Sequence, residues 1–242
     1  MKREDIAQYS YRYGGNWQAI KQAILKQENN PYYTVYENYI CYLDEDYPQE
    51  FKHLEFPPWV LFYRGNKELL KDRKVTIVGS RKIVKRGKIY TDFVCQKLKK
   101  KYVLVSGLAK GVDAQVHQSC LIDGKTIAVI GSGLETHYPS CNENLYYQLA
   151  KNHLILSEWP AYIGVKKSHF PWRNRLLAAL GEKIIVTQAT SFSGTMITVQ
   201  EALQLGKDIY SMPYPLDEKE GDGCNQLIQE GASLFLQDSL II

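Results

Sequence analysis

The ten residues Lys166-Lys167-Ser168-His169-Phe170-Pro171-Trp172-Arg173-Asn174-Arg175 carry four cationic side chains and the rings of Phe170 and Trp172. Cations neutralise phosphates and rings stack on bases, so the composition suits a phosphate chain that carries bases. It suits equally a surface loop whose Phe and Trp pack on a core, and the segment alone leaves both readings open. Pro171 fits a helix start, because its ring presets φ and it lacks an N–H that would go unpaired there. The apolar run 176–180 then predicts a buried helix, whose N-terminal N–H groups and dipole add positive potential to the loop.

Other candidate groups fall at regular intervals along the chain. Gly79-Ser80-Arg81, Ser106-Gly107-Leu108-Ala109-Lys110-Gly111, Gly131-Ser132-Gly133, Glu158-Trp159-Pro160 and Gln188-Ala189-Thr190-Ser191-Phe192-Ser193-Gly194-Thr195 each follow an apolar run. Glycine lets a backbone approach a phosphate, and hydroxyls with helix-start N–H groups complete an anion cradle. One such turn is an ordinary strand-to-helix junction. Five, together with Arg81, Lys110, Lys167, Arg173 and Arg175, point to an anionic ligand. None extends to a dinucleotide fingerprint or a Walker lysine motif. Asp113 and His117 are four apart on one predicted helix, where they either pair or serve as a helix-start carboxylate and a core histidine. The remaining histidines lack metal spacing, and no nucleophile elbow is present.

The elements that must position these groups alternate. Strands are predicted at 59–63, 75–78, 102–105, 126–130, 153–157, 183–187 and 208–212. Helices are predicted at 85–100, 112–122, 144–151, after Pro171, at 194–205 and at 225–230. Apolar strands alternating with helices indicate an α/β fold, a parallel sheet covered on both faces, with ligands beyond the C-terminal strand ends. Residues 1–35 read as a small helical appendage, with Trp17, Ile20, Ala23 and Ile24 at helical spacing and a stop at Asn29-Asn30-Pro31. Residues 36–72 read as a connector with one strand ahead of the core, and 73–242 as the main domain.

The chain has 242 residues, 45% hydrophobic and 23% charged, with a formal net charge of +4. That charge permits an anionic partner without demanding one, so local clustering carries the argument. The five cysteines form no C-x-x-C pair, which fits reduced thiols in a cytosol. No signal-like or membrane-length apolar run occurs, and a cytoplasmic location follows as the expectation.

Taken together and in order, these motifs closely resemble the DprA/Smf family of DNA-processing proteins. The resemblance runs from Tyr47-Pro48 and Pro57-Pro58-Trp59 through Ile77-Val78-Gly79-Ser80-Arg81, the 106–117 turn and helix, Ala128-Val129-Ile130-Gly131-Ser132-Gly133 and Tyr138-Pro139. It continues in Phe170-Pro171-Trp172-Arg173-Asn174-Arg175, Ser193-Gly194-Thr195-Met196 and Gly223-Cys224-Asn225-Gln226. It implies an extended Rossmann-like domain that binds single-stranded DNA, protects incoming DNA, helps load the RecA recombinase during natural transformation, works as a homodimer and is not an enzyme. It implies neither cofactor nor metal. By motif match, Arg81, Lys167, Phe170 and Arg173 are expected to contact DNA, with Gly79, Ser80, Gly107, Ser193, Gly194 and Thr195 shaping the pocket. Asn174 is expected to brace the loop. Three departures stand out. Met212-Pro213-Tyr214-Pro215 lacks the family's glycine. Val116 replaces a small residue. The N-terminal helical domain is short, and only the apolar tail 234–242 stands where some members carry a winged-helix-like domain; that tail is expected to pack on the core or join a dimer surface. The competing expectation is a nucleotide-binding protein or nucleoside-monophosphate phosphoribohydrolase on a related scaffold. In that group a glutamate follows the Gly-Thr turn by three residues, and here Thr198 stands there, with Glu201 a turn further on.

Overall fold

The computed structural model describes residues 1–29 and 33–236. Its centre is a sheet in the order β1-β2-β6-β5-β4-β3-β7-β8-β9. The middle strands are β3 (Lys74–Gly79), β4 (Val103–Ser106), β5 (Lys125–Ile130), β6 (Leu154–Ser157), β7 (Lys183–Gln188) and β8 (Asp208–Ser211), all parallel. They are nearly continuous β-branched and leucine runs because both their faces are covered. β2 (Val60–Gly65) is antiparallel to both β6 and β1 (Asn38–Cys41). The short β9 (Ser233–Leu234) extends β8 in parallel. Thus β2 alone among the described strands runs against the rest.

The expectation of a parallel sheet therefore holds for the core and is corrected at one edge. Residues 36–72 supply two strands of the sheet there. Alternation sorts side chains to the two faces of these strands. Ala128, Ile130, Ile155, Val60 and Phe62 face one apolar cluster, and Ile127, Val129, Leu154, Leu156 and Leu61 the other.

Helices α4 (Lys85–Leu98), α5 (Val112–Cys120) and α6 (Glu143–Asn152) pack successively on one another. Helices α7 (His169–Leu180) and α8 (Gly194–Gln204) pack together separately. The chain steps from β3 outward to β6, then returns through α7 to β7 on the far side of β3. That return is the topological switch, and it carries α7 past β5, β4 and β3. After β8, Tyr214 takes the position where a glycine is expected. Its ring is buried, its hydroxyl donates to Thr187 O at 2.8 Å, and its backbone is clasped at both ends by Asn225.

The appendage has two helices, α1 (Arg3–Arg12) and α2 (Trp17–Lys26), where spacing predicts only the second. Both share a core with the sheet: Ile6, Ala7, Tyr9, Ile20 and Ala23 lie in one cluster with Phe62 and Leu134. Trp17 stacks on Trp59 at 5.4 Å. The α2 stop falls at Gln27, in the left-handed region, and Asn30-Pro31 lie outside the described residues. Of the apolar tail, Phe235 is buried, and residues 237–242 lie outside the described residues.

Candidate nucleic-acid interface

The C-terminal ends of β3, β4 and β5 and the first turns of α7 enclose one cleft. Arg81, Gly107, Lys110, Gly131, Phe170 and Arg173 line it, together with Tyr138. Its wall is built by close backbone approaches. Gly111, at φ +76°, leaves Ser80 O no room for a Cβ, which would lie 2.2 Å away. Val112 N donates to Ser80 O at 3.1 Å, and Ser80 N to Gln188 O at 2.8 Å. Gly79 sits against Val112 and Gln188 in the same way. These contacts stitch three neighbouring turns together and hold Arg81 at the rim.

Phe170 lies over the end of β5, where a Cβ on Gly131 would come within 3.2 Å of its ring. The Tyr138 ring is 5.7 Å away at 40°, and the Arg81 guanidinium sits 5.0 Å from the Phe170 centroid. His169 fixes the start of the helix: its ring nitrogen Nδ1 donates to Gly131 O at 3.1 Å, and the ring stacks on Trp159 at 4.5 Å. Arg81, Lys82, Lys85, Lys110, Lys166 and Lys167 are all exposed, and none pairs with a carboxylate among the described residues. The rim therefore presents positive charge and two rings to solvent.

The structure divides the basic, aromatic stretch. α7 begins at His169, so Pro171 falls in its first turn and Arg173 and Arg175 point inward. Arg173 is 4% exposed beneath the cleft and donates to Gly107 O at 2.7 Å and to Val129 O. Gly107 is required there, since a Cβ would meet the guanidinium at 2.3 Å. Burial brings the Arg173 pKa down to about 10, opposed by Asp113, and raises that of the Asp113 carboxyl, opposed first by Arg173. Arg173 stays charged at neutral pH and adds positive potential to the floor.

Arg175 donates to Glu158 at 2.7 Å and to Phe56 O at 2.9 Å. It also lies 4.2 Å from the Trp172 ring, whose Nε1 donates to the other Glu158 oxygen at 2.8 Å. Arg175 and Glu158 are thus a buried pair braced by the half-buried Trp172. Asn174 is buried beside them.

Asp113 and His117 do not pair. Asp113 accepts from Ala109 N at 3.2 Å. His117 Nδ1 meets Thr126 Oγ1 at 2.8 Å, and burial holds its pKa down at about 3. Ser193, Gly194 and Thr195 form the turn into α8, one strand beyond Arg81 and outside the cleft. Two cleft residues escape candidate assignment from sequence. Lys110 is legible there only as rim charge. Tyr138 lies far from Phe170 along the chain, so no spacing rule brings the two rings together.

Residues 38–242 match the family model described as DNA recombination-mediator protein A. The DNA processing protein DprA of Streptococcus pneumoniae is 44% identical over 193 residues, 79% of this chain and 68% of that protein. DprA of Bacillus subtilis is 37% identical, covering 88% and 76%. The Smf protein of Synechocystis is 36% identical, and the chain spans 54% of its length. The crystal structure of S. pneumoniae DprA superposes with a TM-score of 0.81 and 35% identity over 96% of this chain and 89% of that one. A DprA structure from Helicobacter pylori, which addresses that protein's single-stranded DNA binding mode, superposes with a TM-score of 0.75 and 32% identity over 82% and 91%. The chain belongs to the DNA recombination-mediator protein A family.

Proposed function

We propose that this protein binds single-stranded DNA along the C-terminal rim of its sheet, as a non-catalytic mediator of recombination. The observation that carries the reading is the Arg81–Phe170–Tyr138 cluster, flanked by lysines that have no carboxylate partner among the described residues. Phe170 offers a face for one base, an interaction of ~1–3 kcal/mol. Arg81, Lys110 and Lys167 meet phosphates on either side, and Arg173 holds the floor positive. A stacking face accepts any base, so the reading entails little sequence preference. Gly79, Ser80 and Gly107 act through the turns they permit, and Ser193, Gly194 and Thr195 serve the same strand at the neighbouring turn. Kinship with the H. pylori protein supports this assignment. In the cell, the reading extends to a cytoplasmic homodimer that shields incoming DNA and helps load RecA during transformation. Among the described residues no helix is long and apolar enough to cross a membrane. The phosphoribohydrolase alternative lacks its carboxylate, since Thr198 is buried in α8.

The test is a titration of wild type and Lys167→Ala with fluorescent oligo-dT at two salt concentrations. Wild-type binding is expected to weaken as salt rises, because neutralised phosphates release counterions, and Lys167→Ala is expected to bind more weakly at both. Absence of wild-type binding at low salt would discard the reading.

A further inference from the structure

The β7–α8 turn carries an aromatic ring that the cleft does not use. Phe192 is fully exposed, at 103% of its reference area, the barest aromatic ring among the described residues. An exposed phenylalanine on a floppy loop would mean little, but this turn is anchored. Ser193 N donates to Thr190 O at 3.0 Å and closes it. Ser191 N donates to Asp222 Oδ1 at 2.9 Å, tying it to the start of helix α9 (Asp222–Gln229). Gly223 lies so close beneath that a Cβ would fall 2.6 Å from Thr190 C. Gln188 joins the turn's strand to the rim, accepting from Val84 N and donating to Lys82 O, both at 3.0 Å. Gln188 thus ties the exposed Lys82, next to Arg81, to the strand that leads into the β7–α8 turn, and the first turn of α8 holds no acid.

We infer that Phe192 is a second base-stacking platform, and that single-stranded DNA crosses the strand ends from Phe170 over Arg81 and Lys82 to Phe192. The inference rests on the proposed DNA-binding reading. From β5 to β7 is three strand steps, or ~14 Å at ~4.8 Å per step, a span of a few nucleotides. The two platforms share one construction: a ring at the N-terminal end of a helix on the same edge of the sheet. Stacking on both rings with charge between gives an oriented track across the sheet and makes affinity depend on oligonucleotide length.

The test uses the full chain and oligo-dT of two lengths, one spanning only the Phe170 cleft and one several times longer, with 2-aminopurine placed successively along the longer strand. Phe192→Ala is expected to bind the short oligonucleotide as wild type does and the long one roughly 5- to 150-fold more weakly. Phe192→Trp is expected to restore affinity for the long one. Wild type should quench 2-aminopurine in two zones, of which Phe192→Ala loses one and Phe170→Ala the other. Unchanged affinity of Phe192→Ala for the long strand, with wild type still binding, overturns the second platform and leaves the DNA reading intact. So does a sedimentation shift in Phe192→Ala without a change in DNA binding, which would make the ring a contact between copies. Failure of wild type to bind either length removes the DNA reading itself.

Discussion

The two ends of the sheet carry similar numbers of cationic residues and opposite electrostatics. At the N-terminal end, Arg73 pairs with Glu182 at 2.9 Å, Lys99 and Lys100 share Asp123 at 2.5 and 3.0 Å, and Lys125 meets Asp72 at 2.8 Å. Lys101 is the exception, with no carboxylate partner among the described residues. At the C-terminal end the order is reversed. The acids Asp113 and Glu158 are buried, Asp113 accepting from Ala109 N and Glu158 paired with Arg175. Arg81, Lys110 and Lys167 are left facing solvent with no carboxylate partner among the described residues. A lysine already held by a carboxylate must give up that partner or share it to bind a phosphate, and an unpaired one does not. A net charge of +4 therefore understates the field at one end and overstates it at the other.

The sharpest break concerns the buried acids. Glu158→Gln is expected to lower stability by about 3–5 kcal/mol, because it leaves Arg175 charged, buried and unpaired. Urea unfolding checks this. The double variant Glu158→Gln/Arg175→Met should recover part of the loss, as expected for a coupled pair. Next in size is the rim itself. The triple variant Arg81→Ala/Lys110→Ala/Lys167→Ala should lose single-stranded DNA affinity at least roughly 100-fold, with a log–log salt slope shallower by ~1 for each phosphate contact removed. Its unfolding curve should match wild type. The same three-alanine exchange at the paired Arg73, Lys100 and Lys125 should change affinity less than about twofold. Comparable losses from both triples would dismiss the distinction between paired and unpaired cations.

How much of this was readable from the sequence follows the same divide. The parallel core was legible because a strand buried on both faces must be apolar throughout. The reversal of β2 was not, since an apolar run carries no direction. α1 escaped because its buried face is Ile6, Ala7, Tyr9 and Ser10, too polar for a hydrophobic period. In the site, the kinds of residue were legible and their facing was not. The stretch of four cations holds two that face solvent, Lys166 and Lys167, and two that face inward. Which two depends on the acceptors Gly107 O, Val129 O and Glu158, whose positions only the fold supplies. Gly107 shows the gap most clearly: it reads as a phosphate-binding glycine, yet the group it admits is the Arg173 guanidinium.

The smallest expected effect tests the paired end directly. If pairing silences those lysines, removing the acids should awaken them. Asp72→Asn frees Lys125, and Asp123→Asn frees Lys100 together with the largely buried Lys99. The double variant should gain a weak, salt-sensitive affinity for oligo-dT, a few-fold at low ionic strength and none at high, since exposed charges are screened within ~10 Å at 0.1 M salt. Measured in the background of the Arg81/Lys110/Lys167 triple variant, where the main site is silent, that gain is the whole signal. It should lack 2-aminopurine quenching, because the ring beside those lysines, Tyr102, is buried. A gain accompanied by quenching would mean that the opposite end has a stacking face of its own, and that charge pairing is not what separates the two.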